Sequence, residues 1–154
     1  MNIAVILAGG SGTRLGNDIP KQFLKVAGKK VLEHTIEVFE NAKNIDEICI
    51  VSRIDCINDV ESIVVNNGYL KVKKILAGGK ERYDSSLAAI HAYPNGNHNL
   101  LFHDAVRPLL TERIINDCLS ALEKYNAVDV AIKTTDTIIQ VDEQKCITAI
   151  PNRS

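Results

Sequence analysis

Leu7-Ala8-Gly9-Gly10-Ser11-Gly12-Thr13-Arg14-Leu15-Gly16 is the stretch on which the reading of this chain turns. It follows directly on Ile3-Ala4-Val5-Ile6-Leu7, an apolar run with the length of a buried strand. Four glycines within residues 9–16 contribute nothing to a core. They free the backbone for unusual dihedrals and leave room for a ligand against main-chain N–H groups. Successive N–H groups in such a turn form a concavity that binds anions. Arg14 adds a cation, and Lys21, in Pro20-Lys21-Gln22-Phe23, adds a second. A strand, a glycine turn and two cations together describe a cradle for a polyphosphate.

Two common phosphate motifs are excluded by spacing. A P-loop requires Gly-Lys-Ser/Thr after four spacer residues, and that tripeptide does not occur. A dinucleotide fingerprint starting at Gly10 would need glycine where Leu15 stands. It would also need an acidic strand end about 20 residues on, where a helical pattern runs instead.

Outward from this loop, apolar spacing sets the architecture. Val31, Leu32, Ile36 and Phe39 recur at helical intervals, which predicts a helix over 31–42. Ile48–Val51 reads as a strand, then a helix capped by Asp55 and stopped at Asn67-Gly68. Val72–Leu76 is a third strand, followed by a helix over 84–93 and a turn at Pro94-Asn95-Gly96-Asn97. Leu100–Phe102 is a fourth strand, Thr111 caps the next helix, and Val128–Ile132 is a fifth strand. Thr137–Val141 and Cys146–Ile150 flank Asp142-Glu143-Gln144-Lys145 as a hairpin. Strand and helix alternate, which predicts an α/β domain with a mainly parallel sheet. Ligands bind such sheets beyond the carboxyl ends of the strands. The unusual residues fall there, at 9–21, 78–86 and 103–108.

The 154 residues, 45% hydrophobic, suit one domain with a real core. Net charge is −1, from 18 basic and 19 acidic side chains, so no nucleic-acid or membrane surface is expected. Met1-Asn2-Ile3 lacks the charged start of a signal peptide, and no apolar run approaches a membrane span. Cys49, Cys56, Cys118 and Cys146 are scattered and read as reduced thiols of a cytoplasmic protein.

His103-Asp104-Ala105-Val106-Arg107-Pro108 places a carboxylate at the mouth of the expected site, and hard oxygen ligands suit Mg²⁺ carried with a nucleotide triphosphate. A loop ion pair between Asp104 and Arg107 is the plainer alternative. Gly78-Gly79-Lys80-Glu81-Arg82-Tyr83-Asp84-Ser85-Ser86 is a second glycine turn running into a helix start. Its N–H groups and hydroxyls can read a pyrimidine edge or hold ribose. An ordinary helix start capped by Asp84 or Ser85 fits the local chemistry nearly as well.

Ala8-Gly9-Gly10-x-Gly12-x-Arg14 with Pro20-Lys21-Gln22-Phe23 resembles the signature of the sugar-phosphate nucleotidylyltransferases. The seven-residue step from Arg14 to Lys21, with His103–Pro108, is similar to the branch of methylerythritol-phosphate and ribitol-5-phosphate cytidylyltransferases. The resemblance implies a Rossmann-like domain over 1–154 that moves CMP from CTP onto a polyol phosphate, with Mg²⁺ as cofactor. It implies that Arg14 and Lys21 are catalytic. Ala8, Gly9, Gly10, Ser11, Gly12, Gly78, Gly79, Arg82 and Ser85 would hold CTP. Asp104 would handle metal and substrate, and Arg107, Thr137 and Arg153 the acceptor. The hairpin at about 137–150 would be a dimerisation arm, with Arg153 reaching the partner of a homodimer. Family members continue through a Gln-Thr-Pro-Gln segment and further site residues, so the resemblance implies a C-terminally incomplete copy. The phrasing of the motifs leans to ribitol 5-phosphate, with methylerythritol phosphate as the alternative acceptor. A non-catalytic nucleotide-binding module, or an enzyme using UTP, GTP or dTTP, is the rival reading.

Overall fold

Strand β1 (Asn2–Ala8) lies inside a four-stranded sheet, flanked on both sides by parallel neighbours. The computed structural model describes residues 1–10, 19–133 and 135–152. Ser11, Gly12, Arg14 and Arg153 lie outside them. After β1 the chain makes a short 3₁₀ turn (Lys21–Phe23), a two-residue hairpin of β2 (Lys25–Val26) and β3 (Lys29–Lys30), and helix α1 (Val31–Asn41). Then follow β4 (Glu47–Ser52), α2 (Ile57–Asn67), β5 (Val72–Ala77), α3 (Arg82–His91), β6 (Asn99–Asp104) and α4 (Glu112–Leu122). A small hairpin of β7 (Gln140–Val141) and β8 (Ile147–Ala149) comes last.

Ile3 to Ala8 of β1 are buried on both faces, which is why the run reads as continuously apolar rather than alternating. One face carries Ala4, Ile6, Ile48 and Ile50 against Leu32, Ile36 and Phe39 of α1, Val60 and Ile63 of α2 and Ile115 of α4. The other carries Ile3, Val5, Cys49 and Val51 against Ala89 of α3. Each large apolar side chain buried here contributes about 1.5–3 kcal/mol.

From β1 the chain builds β4 and β5 to one side, then crosses to add β6 on the other. The strand order therefore reverses between β1 and β6. In open α/β sheets a crevice forms at such a reversal, beyond the carboxyl ends of the strands.

Several local expectations are met and some are corrected. Gly68 ends α2 in the left-handed region (φ 65°), its N–H bonded to the Val65 carbonyl at 3.2 Å. Asp55 does not cap α2. A 3₁₀ turn (Ile54–Cys56) precedes that helix, and the Asp55 carboxylate turns back to Arg53. Thr111 stands at the start of α4 but caps it with its carbonyl rather than its hydroxyl. All four cysteines are free.

Val128–Ile132 does not form the expected fifth strand. Val130 and Ile132 are 61% and 95% exposed. Their alternation has the right period, but a strand also needs an edge to pair with, and β6 pairs only with β1 among the described residues. The hairpin at the end does form, closed by Asp142 N–H to the Cys146 carbonyl at 3.0 Å and by Lys145 at φ 64°.

Candidate active site

A cavity of about 590 Å³ opens at the carboxyl ends of the parallel strands. Leu7 to Gly10 enter it from β1, and Lys21 and Gln22 from the turn that follows. Arg53 comes from the end of β4, Gly79 to Arg82 with Ser85 from the start of α3, and Asp104 to Val106 from the end of β6. Loops far apart in sequence thus meet where the strand order reverses. Of the expected site residues, the cavity gathers Ala8, Gly9, Gly10, Lys21, Gly79, Arg82, Ser85 and Asp104. Gly78 stands just behind it, its N–H on the Ser52 carbonyl at 2.7 Å. Arg107 reaches it through Asp104. Thr137, exposed on the C-terminal segment, is not among the residues lining it.

The glycines serve space rather than left-handed backbone, since neither Gly9, Gly10, Gly78 nor Gly79 has a positive φ. A Cβ on Gly78 would stand 2.5 Å from the Ser85 Oγ, and one on Gly79 would overlap Asp84. A Cβ on Gly9 would meet the same Ser85 Oγ at 3.6 Å. Ser85 is wedged between the two glycine turns and is 5% exposed. Among the described residues nothing stands within 4 Å of where a Gly10 Cβ would lie. The close approach of α3 to the strand ends is what these small residues permit.

Helix α3 starts two residues earlier than its periodicity suggests, at Arg82 rather than Asp84. Glu81 is the cap residue, and its N–H donates to the Asp84 carboxylate at 3.0 Å. Neither Asp84 nor Ser85 is the cap. Ser85 instead donates to the Glu81 carbonyl at 3.3 Å, which keeps its hydroxyl at the cavity wall.

Asp104 is the electrostatic centre. One carboxylate oxygen pairs with Arg82 Nη1 and the other accepts from Arg107 Nε at 2.8 Å. The loop ion pair left open by the sequence is therefore present, and Arg82 joins it from 22 residues away. Burial pushes the Asp104 carboxyl up, but hydrogen bonds and charge from Arg82 and Arg107 outweigh it and hold it below the usual carboxylate range. The two arginines are 65% and 74% exposed, so their outer N–H groups face solvent and any incoming anion. His103 plays a supporting part: its ring meets Phe39 edge-on at 5.6 Å, and its Nε2 lies 2.9 Å from the Arg107 carbonyl.

Buried side chains brace these loops from below. Thr35 of α1, 1% exposed, donates its hydroxyl to the Ala105 carbonyl at 2.8 Å. Thr35→Val keeps the shape and deletes the donor. The expected loss is about 1 kcal/mol in a denaturant titration, and an unchanged midpoint would show that the brace carries no weight.

Two lining residues escape sequence reasoning. Arg53 follows a strand with no glycine to mark it, and its guanidinium is paired with Asp55. Gln22 is almost wholly buried and shows no pattern beyond its place beside Lys21.

Known proteins share this sequence and this fold. The profile of the IspD family, described as 2-C-methyl-D-erythritol 4-phosphate cytidylyltransferase, matches residues 2–154. The bifunctional ribulose 5-phosphate reductase/CDP-ribitol pyrophosphorylase Bcs1 of Haemophilus influenzae is 52% identical over 99% of this chain and 33% of its own length. The 2-C-methyl-D-erythritol 4-phosphate cytidylyltransferase of Thermobifida fusca is 38% identical, with 98% of this chain and 63% of that protein covered. Among solved structures, the 4-diphosphocytidyl-2C-methyl-D-erythritol synthase of Anaerococcus prevotii superposes with a TM-score of 0.82 at 31% identity, covering 99% of this chain and 63% of that one. The chain thus spans between a third and two thirds of the length of these relatives. With glycine turns, lysine turn and Asp104 loop converging on one cavity of the same fold, this chain belongs to the IspD family of cytidylyltransferases.

Proposed function

We propose that the protein carrying this chain transfers CMP from CTP to a polyol phosphate and releases pyrophosphate, in the cytoplasm, with ribitol 5-phosphate as the acceptor and CDP-ribitol as the product. The observation that carries the reading is the cavity itself. It joins the open Gly9-Gly10 turn, Lys21 and the Arg82–Asp104–Arg107 bridge at a strand-order reversal. A rigid nucleotide sensor would need the cradle but no acceptor-side cations.

An acceptor phosphate oxygen attacks the α-phosphorus in line as pyrophosphate departs. No protein nucleophile is required, so catalysis is positioning and charge stabilisation. Gly9 and Gly10 receive the triphosphate, and Ser11, Gly12 and Arg14, outside the described residues, are assigned to it by sequence alone. Lys21 faces the charge that grows on the α-phosphate and the leaving group. Gly78, Gly79 and Ser85 form the wall for the cytosine nucleoside. Arg107 turns its exposed N–H groups to the acceptor phosphate, with Thr137 and Arg153 as further acceptor contacts.

Magnesium fits this site in one particular way. Among the described residues no cluster of three His, Cys, Asp or Glu side chains forms a cage. Asp104 is a single carboxylate already bridging two arginines. One carboxylate plus substrate phosphates is how proteins commonly hold Mg²⁺, so Asp104 would hold it with the nucleotide. The ion supplies charge neutralisation on the phosphates.

The acceptor follows from the stronger likeness to the CDP-ribitol pyrophosphorylase, 52% against 38% for the Thermobifida fusca enzyme. 2-C-Methyl-D-erythritol 4-phosphate, the acceptor in the names of the other relatives, is the second reading. Pyrophosphate release by the full-length gene product, measured with CTP and each acceptor, separates them. A higher kcat/KM is expected with ribitol 5-phosphate, and the reverse order would overturn the choice. UTP, GTP or dTTP in place of CTP should give little release. The exposed β7–β8 hairpin supports a homodimer in which this arm leans on a second copy, because an isolated two-stranded hairpin is marginal alone.

A further inference from the structure

Gln22 is 2% exposed, a rare degree of burial for an amide side chain. It occupies the 3₁₀ turn Lys21–Phe23, one residue past the cavity lysine. Its Nε2 donates to the Ala8 carbonyl at 2.9 Å. A carbonyl only accepts, so the amide is oriented unambiguously. Ala8 is the last residue of β1, and Gly9-Gly10 follow it directly. One side-chain hydrogen bond thus ties the lysine turn to the start of the glycine turn across 14 residues of sequence.

Among the described residues the rest of the turn is fastened on its far side. Phe23 packs against the core under α1, and the Leu24 carbonyl accepts from Val31 N–H at 2.9 Å. Internally the turn is closed by Phe23 N–H to the Pro20 carbonyl at 2.9 Å and Leu24 N–H to the Lys21 carbonyl at 3.2 Å. On the cavity side the Gln22 amide is the link to β1 among the described residues. A lysine ammonium is a point charge on a flexible stem, with none of the fixed fork of arginine. Its position therefore depends on the backbone from which it springs.

We infer that Gln22 is a positioning residue: its buried amide sets where the Lys21 ammonium stands relative to the Gly9-Gly10 turn, and so how well the lysine meets charge in the transition state. The inference rests on the nucleotidyl-transfer reading above. Gln22 touches no reacting atom and acts through Lys21.

The test is a double-mutant cycle in the full-length gene product, read by CTP-dependent pyrophosphate release and by thermal melting. Gln22→Met keeps the length and apolar bulk but removes the donor. It should lower kcat about tenfold or more, since displacing a catalytic group by about 1 Å is enough, with little change in the KM for CTP and a fall in Tm of only about 2–4 °C, the scale of one lost buried hydrogen bond. On a Lys21→Ala background the same change should cost almost nothing, because the group it positions is gone. Gln22→Glu, which turns an acceptor toward the Ala8 carbonyl, should lose more than Gln22→Met. Equal activity of Gln22→Met and the parent, or losses that multiply in the double variant, would overturn the inference and leave the nucleotidyl-transfer reading intact. Melting of both Gln22 variants below the assay temperature would make Gln22 a residue of the fold and also overturn it. Failure of the parent to release pyrophosphate with any acceptor would overturn the reading and the inference together.

Discussion

Lys21→Ala is expected to lower kcat for pyrophosphate release by about 10²–10³, equivalent to ~3–4 kcal/mol of transition-state stabilisation. The argument is one of charge already neutralised against charge still available. Four cations line the cavity among the described residues: Lys21, Arg53, Lys80 and Arg82. Arg53 is paired with Asp55, and Arg82 with Asp104. Lys21 and Lys80 have no carboxylate partner among the described residues. Lys80 sits exposed in the bend entering α3, whereas Lys21 springs from a turn fastened to β1 and to the core. A preorganised cation that costs no reorganisation during the reaction is the kind whose loss is felt in kcat. The KM for CTP should move much less. Near-normal turnover in Lys21→Ala would assign the charge stabilisation elsewhere.

Asp104→Asn is expected to weaken Mg·CTP binding by about tenfold or more, the scale of losing one or two charge-assisted hydrogen bonds, ~1.5–3 kcal/mol. Two effects act in the same direction. In the proposed role Mg²⁺ would lose the Asp104 carboxylate, and Arg82 and Arg107 lose the anion that holds them together. An asparagine can accept from one arginine but presents an N–H₂ group to the other. Calorimetry on the full-length protein reads the change directly, and equal affinity would remove Asp104 from the metal role. The pH dependence carries a sign. The Asp104 carboxyl is held below its ordinary value, so its ion pairs stabilise the fold above pH about 4. That contribution disappears as pH falls through the lowered folded value. Between pH 6 and 8 the carboxylate stays charged, and the affinity gap between Asp104→Asn and the parent should be flat.

The core was legible because burial leaves a direct imprint on residue type. Ile3 to Leu7 are buried on both faces and read as a continuous apolar run. The helical spacing of Leu32, Ile36 and Phe39 matches the face that α1 lays on the sheet. The site was legible by place, since loops bearing glycine and charge all followed strands. Partnerships were not legible. Nothing in the sequence says that Arg82 reaches Asp104, that Gln22 reaches Ala8, or that Arg53 joins the cavity wall, because these contacts join residues whose separation no periodicity records. The strand expected at Val128–Ile132, which does not form, has the same origin. Alternation tells which side chains share a face, while pairing depends on an edge supplied by other residues.

The sheet order has a consequence for the protein as it is made. Of the four strands of this sheet β1 is made before the others, yet it is an interior strand, with Ile3 paired to both Glu47 and Leu100. At roughly 5–20 residues per second, β6 emerges about 5–20 s after β1. Throughout that interval a strand that is apolar from Ile3 to Ala8 has at most one neighbour, and its other hydrogen-bonding edge stands open to strangers. Contacts between ends so distant in sequence also slow the final closure. Newly made chains should therefore be most prone to aggregate just before Asn99–Asp104 clears the exit tunnel, and a chaperone that shields short apolar segments would matter most at that length.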